Sequence, residues 1–128
     1  MKSKSLVMLK PDALERNLIQ VIEHSFCNAG LEIILRTTIK FEERMIFSLW
    51  PQIYGIEYIR KNIDYLVGYE LPVWLLEGNN AIMVADSIKK ELRKKYCNST
   101  IKTLMHCPDS LEEFERNKLL FIKHETTQ

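Results

Sequence analysis

The sequence predicts a single α/β domain, a sandwich in which helices cover a four-stranded, mainly antiparallel sheet. Three observations lead there. Short apolar runs of strand length alternate with segments whose apolar residues recur every three or four positions. The order reads β-α-β-α-α-β-α-β-α, with no internal repeat and no linker rich in glycine, proline or serine. The 128 residues, 46% of them hydrophobic, suffice for one buried core and are too few for two domains.

Ser5-Leu6-Val7-Met8-Leu9 is an apolar run stopped by Lys10-Pro11-Asp12. A run of that length without polar alternation reads as a strand buried on both faces, with Lys10 projecting from its end. Asp12 is placed to cap a helix in which Leu14, Leu18, Val21, Ile22 and Phe26 share one side, ended by Asn28-Ala29-Gly30. Glu32 to Phe41, rich in Ile, Leu and Thr, suits a second strand. A short helix follows from Glu42 to Trp50, stopped by Pro51. Another runs from Gly55 to Val67, with Ile56, Ile59 and Ile63 opposite Arg60, Lys61 and Asp64.

Leu71 to Glu77 suits a strand, because Pro72 lies near its entry where a missing N–H costs least. After Gly78, Asn79 or Asn80 caps a helix to about Tyr96. Its last turns carry Lys89, Lys90, Arg93, Lys94 and Lys95, a basic run that the helix dipole explains. Thr100 to His106 forms a fourth strand, and a helix from about Asp109 to Asn117 turns Leu111 and Phe114 inward. Lys118 to Lys123 is expected as an edge strand, and Glu125 to Gln128 as a frayed end.

Lys and Arg number 18 against 17 Asp and Glu, so no global charge imbalance points to nucleic acid or an anionic membrane surface. No apolar run reaches the ~20 residues of a membrane span, so no membrane association is expected. Cys27, Cys97 and Cys107 are odd in number and widely spaced, with no signal peptide, which suits a reducing cytoplasm. Cys107 is expected to pack away from His106, since neighbours on a strand point to opposite faces.

The stretch Thr100 to Ser110 brings His106 out of a strand to the lip of a helix. Pro108 cannot donate to a ladder, and Asp109 or Ser110 can cap the helix whose first turn holds Glu112 and Glu113. An imidazole at such a corner can be a solvated loop residue, a metal ligand, a general base or a nucleophile.

Four motifs narrow the choice. They are Leu6-Val7-Met8-Leu9-Lys10-Pro11-Asp12-Ala13 with Arg16, then Tyr58 through Tyr65, then Glu77-Gly78, and last Met105-His106-Cys107-Pro108-Asp109-Ser110. In order and spacing they resemble the nucleoside diphosphate kinase family. The resemblance implies a ferredoxin-like α/β sandwich and transfer of the γ-phosphate of ATP, or another nucleoside triphosphate, to a nucleoside diphosphate. It implies Mg²⁺ on the phosphates, a phosphohistidine at His106 and Lys10 as a catalytic cation. No residue of the chain is assigned to hold metal.

The same resemblance assigns nucleotide binding to Lys10, Trp50, Tyr58, Lys90, Arg93, Lys102 and Thr103. Tyr58 stands for a base-stacking phenylalanine, and Trp50 for a tyrosine on the phosphates. Asp86 falls where the family has a phosphate-binding arginine, with Lys90 and Arg93 further along the helix as deputies. The nucleotide-covering loop before the histidine strand is shortened, leaving Lys102 for its arginine. Thr103 replaces an asparagine, Asn117 the glutamate that orients the histidine, Pro108 a serine and Asn17 a glycine. Glu113 and Glu115 are the carboxylates near enough in sequence to substitute for the lost glutamate.

Homo-oligomers are implied, with a homodimer favoured because that loop also packs subunits into trimers. Three functions fit this pattern: a working kinase, a nucleotide-binding regulator with weak or no transfer, and a histidine phosphotransferase with another acceptor.

Overall fold

β1 (Lys2–Leu9) explains why its sequence lacks polar alternation: Leu6 and Met8 enter a core on one face of the sheet, Val7 and Leu9 a second core on the other. The computed structural model describes residues 1–50 and 55–122, so the expected stop at Pro51 and the frayed tail lie outside the described residues. In order there follow α1 (Pro11–Glu15), α2 (Ile19–Asn28), β2 (Glu32–Lys40), α3 (Glu43–Leu49), α4 (Ile56–Leu66), β3 (Glu70–Asn79), α5 (Ala81–Tyr96), β4 (Met105–His106) and α6 (Leu111–Phe121). The sheet has the order β2-β3-β1-β4, with every neighbouring pair antiparallel. This is the four-stranded antiparallel sheet expected of a ferredoxin-like sandwich.

Residues from α1, α2 and α5 build the core on the Val7 face, and residues from α3, α4 and α6 the core on the Leu6 face. Pro72 lies beyond the last β1–β3 pair, Met8↔Val73, where β3 keeps β2 as a partner. Gly78 is required by close approach: a Cβ there would sit 2.7 Å from the Gly30 carbonyl oxygen. The turn after α2 and the end of β3 thus touch through a position without a side chain.

Six expectations need correction. Leu111, expected to turn inward with Phe114, opens α6 on its outer side and is 65% exposed. The first helix breaks in two at Asn17, whose φ is +56°, so that α1 ends at Glu15 and α2 starts afresh at Ile19 instead of running on. Asp12 is no cap: it is buried within α1, and its carboxylate accepts bonds from Leu104 N at 3.0 Å and Tyr65 OH at 2.7 Å. Asn80 makes no side-chain cap either, being left-handed itself at φ +53°, and the Ser3 hydroxyl of β1 accepts from Ala81 N at 2.9 Å in its place.

The fourth strand is confined to Met105–His106, because Thr103 and Leu104 bend away from the ladder. The expected edge strand at Lys118 is instead the continuation of α6, whose buried face is Phe114, Asn117 and Phe121. Spacing of three and four residues is helical, and it emerges once a polar residue, Asn117, counts among the inward positions. At the start of α6 the Ser110 hydroxyl accepts from Glu113 N at 3.1 Å, and Glu113 Oε1 accepts from Asp109 N at 2.7 Å. None of the described helices is long and apolar enough to cross a membrane.

Candidate active site

His106 pairs with Met8 across β1 and shares its face, while Met105 and Cys107 point into the opposite core. Cys107 is buried, and burial pushes its thiol up to about 12, so it is a packing residue rather than a nucleophile. Around His106 opens a cavity of about 220 Å³, whose lining includes Lys10, Trp50, Tyr58, Lys89, Arg93 and Thr103.

The inner end is built on a turn. Leu104 has φ +72°, and Met105 N donates to the Thr103 carbonyl at 2.8 Å, which makes a γ-turn of the strained, positive-φ kind. The surroundings hold it: Leu104 N donates to Asp12 Oδ2, its carbonyl accepts from Lys10 N at 2.8 Å, and Tyr65 clamps the other Asp12 oxygen. Burial and the Asp12 carboxylate raise the Tyr65 hydroxyl well above its ordinary value, so it stays a donor. The Lys-Pro-Asp motif therefore joins α1, α4 and the histidine segment.

Lys10 is 1% exposed, and its Nζ donates to Thr103 Oγ1 at 2.9 Å and to the Ile101 carbonyl at 3.4 Å. Burial lowers its pKa to about 7, assisted by the neighbouring Arg93 and Lys89 charges and opposed by Asp12. Arg93 donates through Nε to the Thr103 carbonyl at 3.2 Å and through one terminal nitrogen to the Met105 carbonyl at 2.7 Å. It thus fixes the chain on either side of the γ-turn while its charge stays on the cavity wall.

The ring of His106 is held at Nε2, 2.8 Å from Asn117 Oδ1. An amide oxygen accepts, so Nε2 carries the proton and Nδ1 the lone pair. Among the described residues Nδ1 has no hydrogen-bond partner. Burial pulls the imidazole pKa down to about 3, with the Asn117 bond opposing and the charges of Lys10, Lys89 and Arg93 adding to the fall. The ring is neutral at physiological pH. Trp50 packs on it edge to face, 5.7 Å between centroids, and Lys10 Nζ lies 5.2 Å from the indole centroid.

Asn117 does not leave the ring without a carboxylate: Glu113 Oε2 is 3.7 Å from Nε2, and burial raises its acid pKa. Asn117 Nδ2 is left without a partner among the described residues. At the outer end Tyr58, half-buried, meets Trp50 edge to face at 6.4 Å.

Of the residues singled out in the sequence, the fold brings together Lys10, Trp50, Tyr58, Arg93, Thr103 and His106. It does not bring in Lys90, which is 72% exposed and paired with Asp86 Oδ2 at 2.9 Å. Nor does it bring in Lys102, which is exposed with Nζ 5.8 Å from the Tyr65 ring, beside a separate hollow lined by Lys61, Asp64 and Ser99.

The cation that sequence reasoning passed over is Lys89, read there as one more base on a helix dipole. The Asp86-x-x-Lys89 spacing, one helical turn, was the available signal. Of the two carboxylates considered as substitutes near Asn117, Glu113 lines the cavity.

Comparison with known proteins accords with this geometry. The family model described as nucleoside diphosphate kinase matches residues 3–127. A nucleoside diphosphate kinase of Methanocaldococcus jannaschii is 31% identical over 98% of this chain and 96% of its own length. One from Sulfurisphaera tokodaii is 28% identical over 95% and 90%. The solved structure of the Aquifex aeolicus nucleoside diphosphate kinase shares the fold at a TM-score of 0.81, with 19% identity and 98% of each chain covered. That from Encephalitozoon cuniculi gives 0.80, with 20% identity over 95% and 90%. With the match spanning nearly the whole length, this chain belongs to the nucleoside diphosphate kinase family.

Proposed function

We propose that the protein is a nucleoside diphosphate kinase that works through a phosphohistidine at His106. The observation that carries the reading is a buried, neutral imidazole tethered at Nε2, with Nδ1 unbonded in a cavity walled by Lys10, Lys89 and Arg93. The Nδ1 lone pair attacks the γ-phosphorus of a nucleoside triphosphate, and the bond from that phosphorus to the β-phosphate oxygen breaks. A nucleoside diphosphate leaves with the electron pair. A second diphosphate then attacks the phosphohistidine through a terminal β-phosphate oxygen, and the P–N bond returns its electrons to Nδ1.

Phosphoryl transfer needs positioning and charge neutralisation more than covalent help. Lys10 supplies charge next to the ring, and Thr103 holds Lys10. Glu113 supplies a negative charge opposite the positive charge that the ring acquires on phosphorylation. Tyr58 offers an aromatic face to a base, while Trp50 packs on the imidazole beside Lys10, on the phosphate side of the site. Mg²⁺ would enter as part of the substrate and offset phosphate charge, and the exposed carboxylate of Asp109 on the cavity wall would be placed to meet it.

A reducing cytoplasm suits the three free thiols. The assembly we propose is a homodimer, supported by β2, a nine-residue strand at the sheet edge. Sedimentation showing a monomer at micromolar concentration removes that part alone.

The test is incubation of wild type and His106→Ala with Mg²⁺ and γ-labelled ATP, followed by a chase with nucleoside diphosphates. Acid-labile label on wild type alone, discharged by diphosphates, is expected. Label that ignores diphosphates would assign another acceptor, and absence of label despite nucleotide binding would make the protein a regulator.

A further inference from the structure

Asp86 presents a carboxylate where the family resemblance leads one to expect a phosphate-binding arginine, yet it does not face the cavity as a bare charge. Burial alone would raise its carboxyl; bonds from Lys89 and Lys90 hold it below its ordinary value instead. The two lysines behave differently. Lys90 Nζ stays in solvent, as an ordinary surface pair would.

Lys89 turns inward. Its side chain is 11% exposed, with Nζ 2.8 Å from Asp86 Oδ1 and 3.3 Å from the carbonyl oxygen of Cys107, the residue after His106. Taking an ammonium out of water is costly unless acceptors replace its hydration. Here a carboxylate and a backbone carbonyl do so. Asp86 Oδ1 meets Nζ as an ion pair without hydrogen-bond alignment, and the Cys107 carbonyl accepts one of the three ammonium N–H groups, so donor capacity remains for the cavity that Lys89 lines.

We propose that Lys89 is a phosphate-binding residue of this site, delivered one helical turn beyond Asp86, and that Asp86 is the positioning residue that holds it. The inference rests on the phosphotransferase reading and deepens it: an acidic residue at the arginine position becomes the anchor for a cation placed elsewhere. Asp86, Lys89 and Cys107 form a strut between α5 and the histidine segment, with its charged head at the cavity wall. A simple pair on a helix surface would need neither the inward turn nor the Cys107 carbonyl.

The experiment is calorimetric titration of Mg²⁺–ADP and of adenosine into wild type, Lys89→Met, Lys89→Arg, Asp86→Asn and Lys94→Ala, with thermal melting of each. Lys94 is exposed on the same helix and controls for lost charge. Lys89→Met is expected to weaken ADP about tenfold or more, the scale of one charge-assisted hydrogen bond, with adenosine unchanged. Lys89→Arg should recover most of that loss, Asp86→Asn should lose ADP affinity severalfold, and Lys94→Ala should match wild type.

Wild-type ADP affinity in Lys89→Met overturns the proposal, as does equal loss of ADP and adenosine together with a lowered melting point. A wild type that binds ADP no better than adenosine overturns both this proposal and the kinase reading. ADP binding that depends on Lys89 in a protein that takes no label on His106 sustains the proposal and defeats the kinase reading alone.

Discussion

Behind the inner wall of the cavity Lys10, Thr103, Leu104, Asp12 and Tyr65 are joined by hydrogen bonds of 2.7 to 3.0 Å, whereas at the outer end half-buried Tyr58 meets Trp50, which itself packs on His106, edge to face at 6.4 Å. Buried polar bonds are directional and costly to leave unmade, while ring contacts change gently with distance and angle. On the proposed function, the end that would meet phosphorus is fixed in position, and the end that would meet a base is held more loosely.

The largest effect should come from breaking the inner end. Asp12→Ala strands Leu104 N and the Tyr65 hydroxyl and releases a strained turn, at a cost of about 3 kcal/mol. Urea unfolding checks the stability, and single-turnover labelling should slow as well because Lys10 and Leu104 lose their register.

Gly78→Ala separates stability from chemistry. Its Cβ collides with the Gly30 carbonyl, far from the cavity lining, and overpacking of that kind costs about 2 kcal/mol. Unfolding should register the loss while the labelling rate at 20 °C stays at the wild-type value.

Titration sharpens the inner end further. The His106 pKa is about 3 in the fold and near the ordinary 6.5 when unfolded. Between those values the unfolded chain binds the proton and the native one does not, so stability rises with pH across that window and is lost on acidification. The contribution reaches about 1.4 kcal/mol per pH unit well inside it. His106→Gln should flatten the difference in a pH series of melting curves.

At the outer end Tyr58→Ala should raise the KM for nucleotide by about tenfold, as loss of one stacking face does, with kcat changed less. Tyr58→Phe keeps the face and should stay within about twofold. A large kcat loss in Tyr58→Ala with an unmoved KM would overturn the division between the two ends.

Much of the frame was legible in the chain because strands and helices write their burial into apolar spacing. β1 could be read as central from Leu6 to Leu9 alone, and the His106 corner from Pro108 and Ser110. The polar connections could not be read that way. Asp12 looked like a helix cap because an aspartate after a proline serves local N–H groups as well as distant ones; its partners, Leu104 and Tyr65, are 92 and 53 residues away.

The end of α6 was mistaken for a strand since Leu119, Leu120, Phe121 and Ile122 form a continuous apolar run. Leu119 in fact faces solvent, and the inward position is held by Asn117. Lys89 was hidden among five bases that a helix dipole explains equally well.

The Ser3 hydroxyl that accepts from Ala81 N joins residues 78 positions apart, and the strand that carries it lies between β3 and β4 in the sheet. During synthesis the first strand to emerge therefore waits for partners made much later. Its apolar face has no sheet to join until β3 has been made, and β4 closes its other edge later still. Non-local pairing of this kind slows folding. The slow step should be the docking of β1 between its neighbours, and variants at Ser3 should alter the refolding rate as well as equilibrium stability if the α5 start is already formed in the transition state.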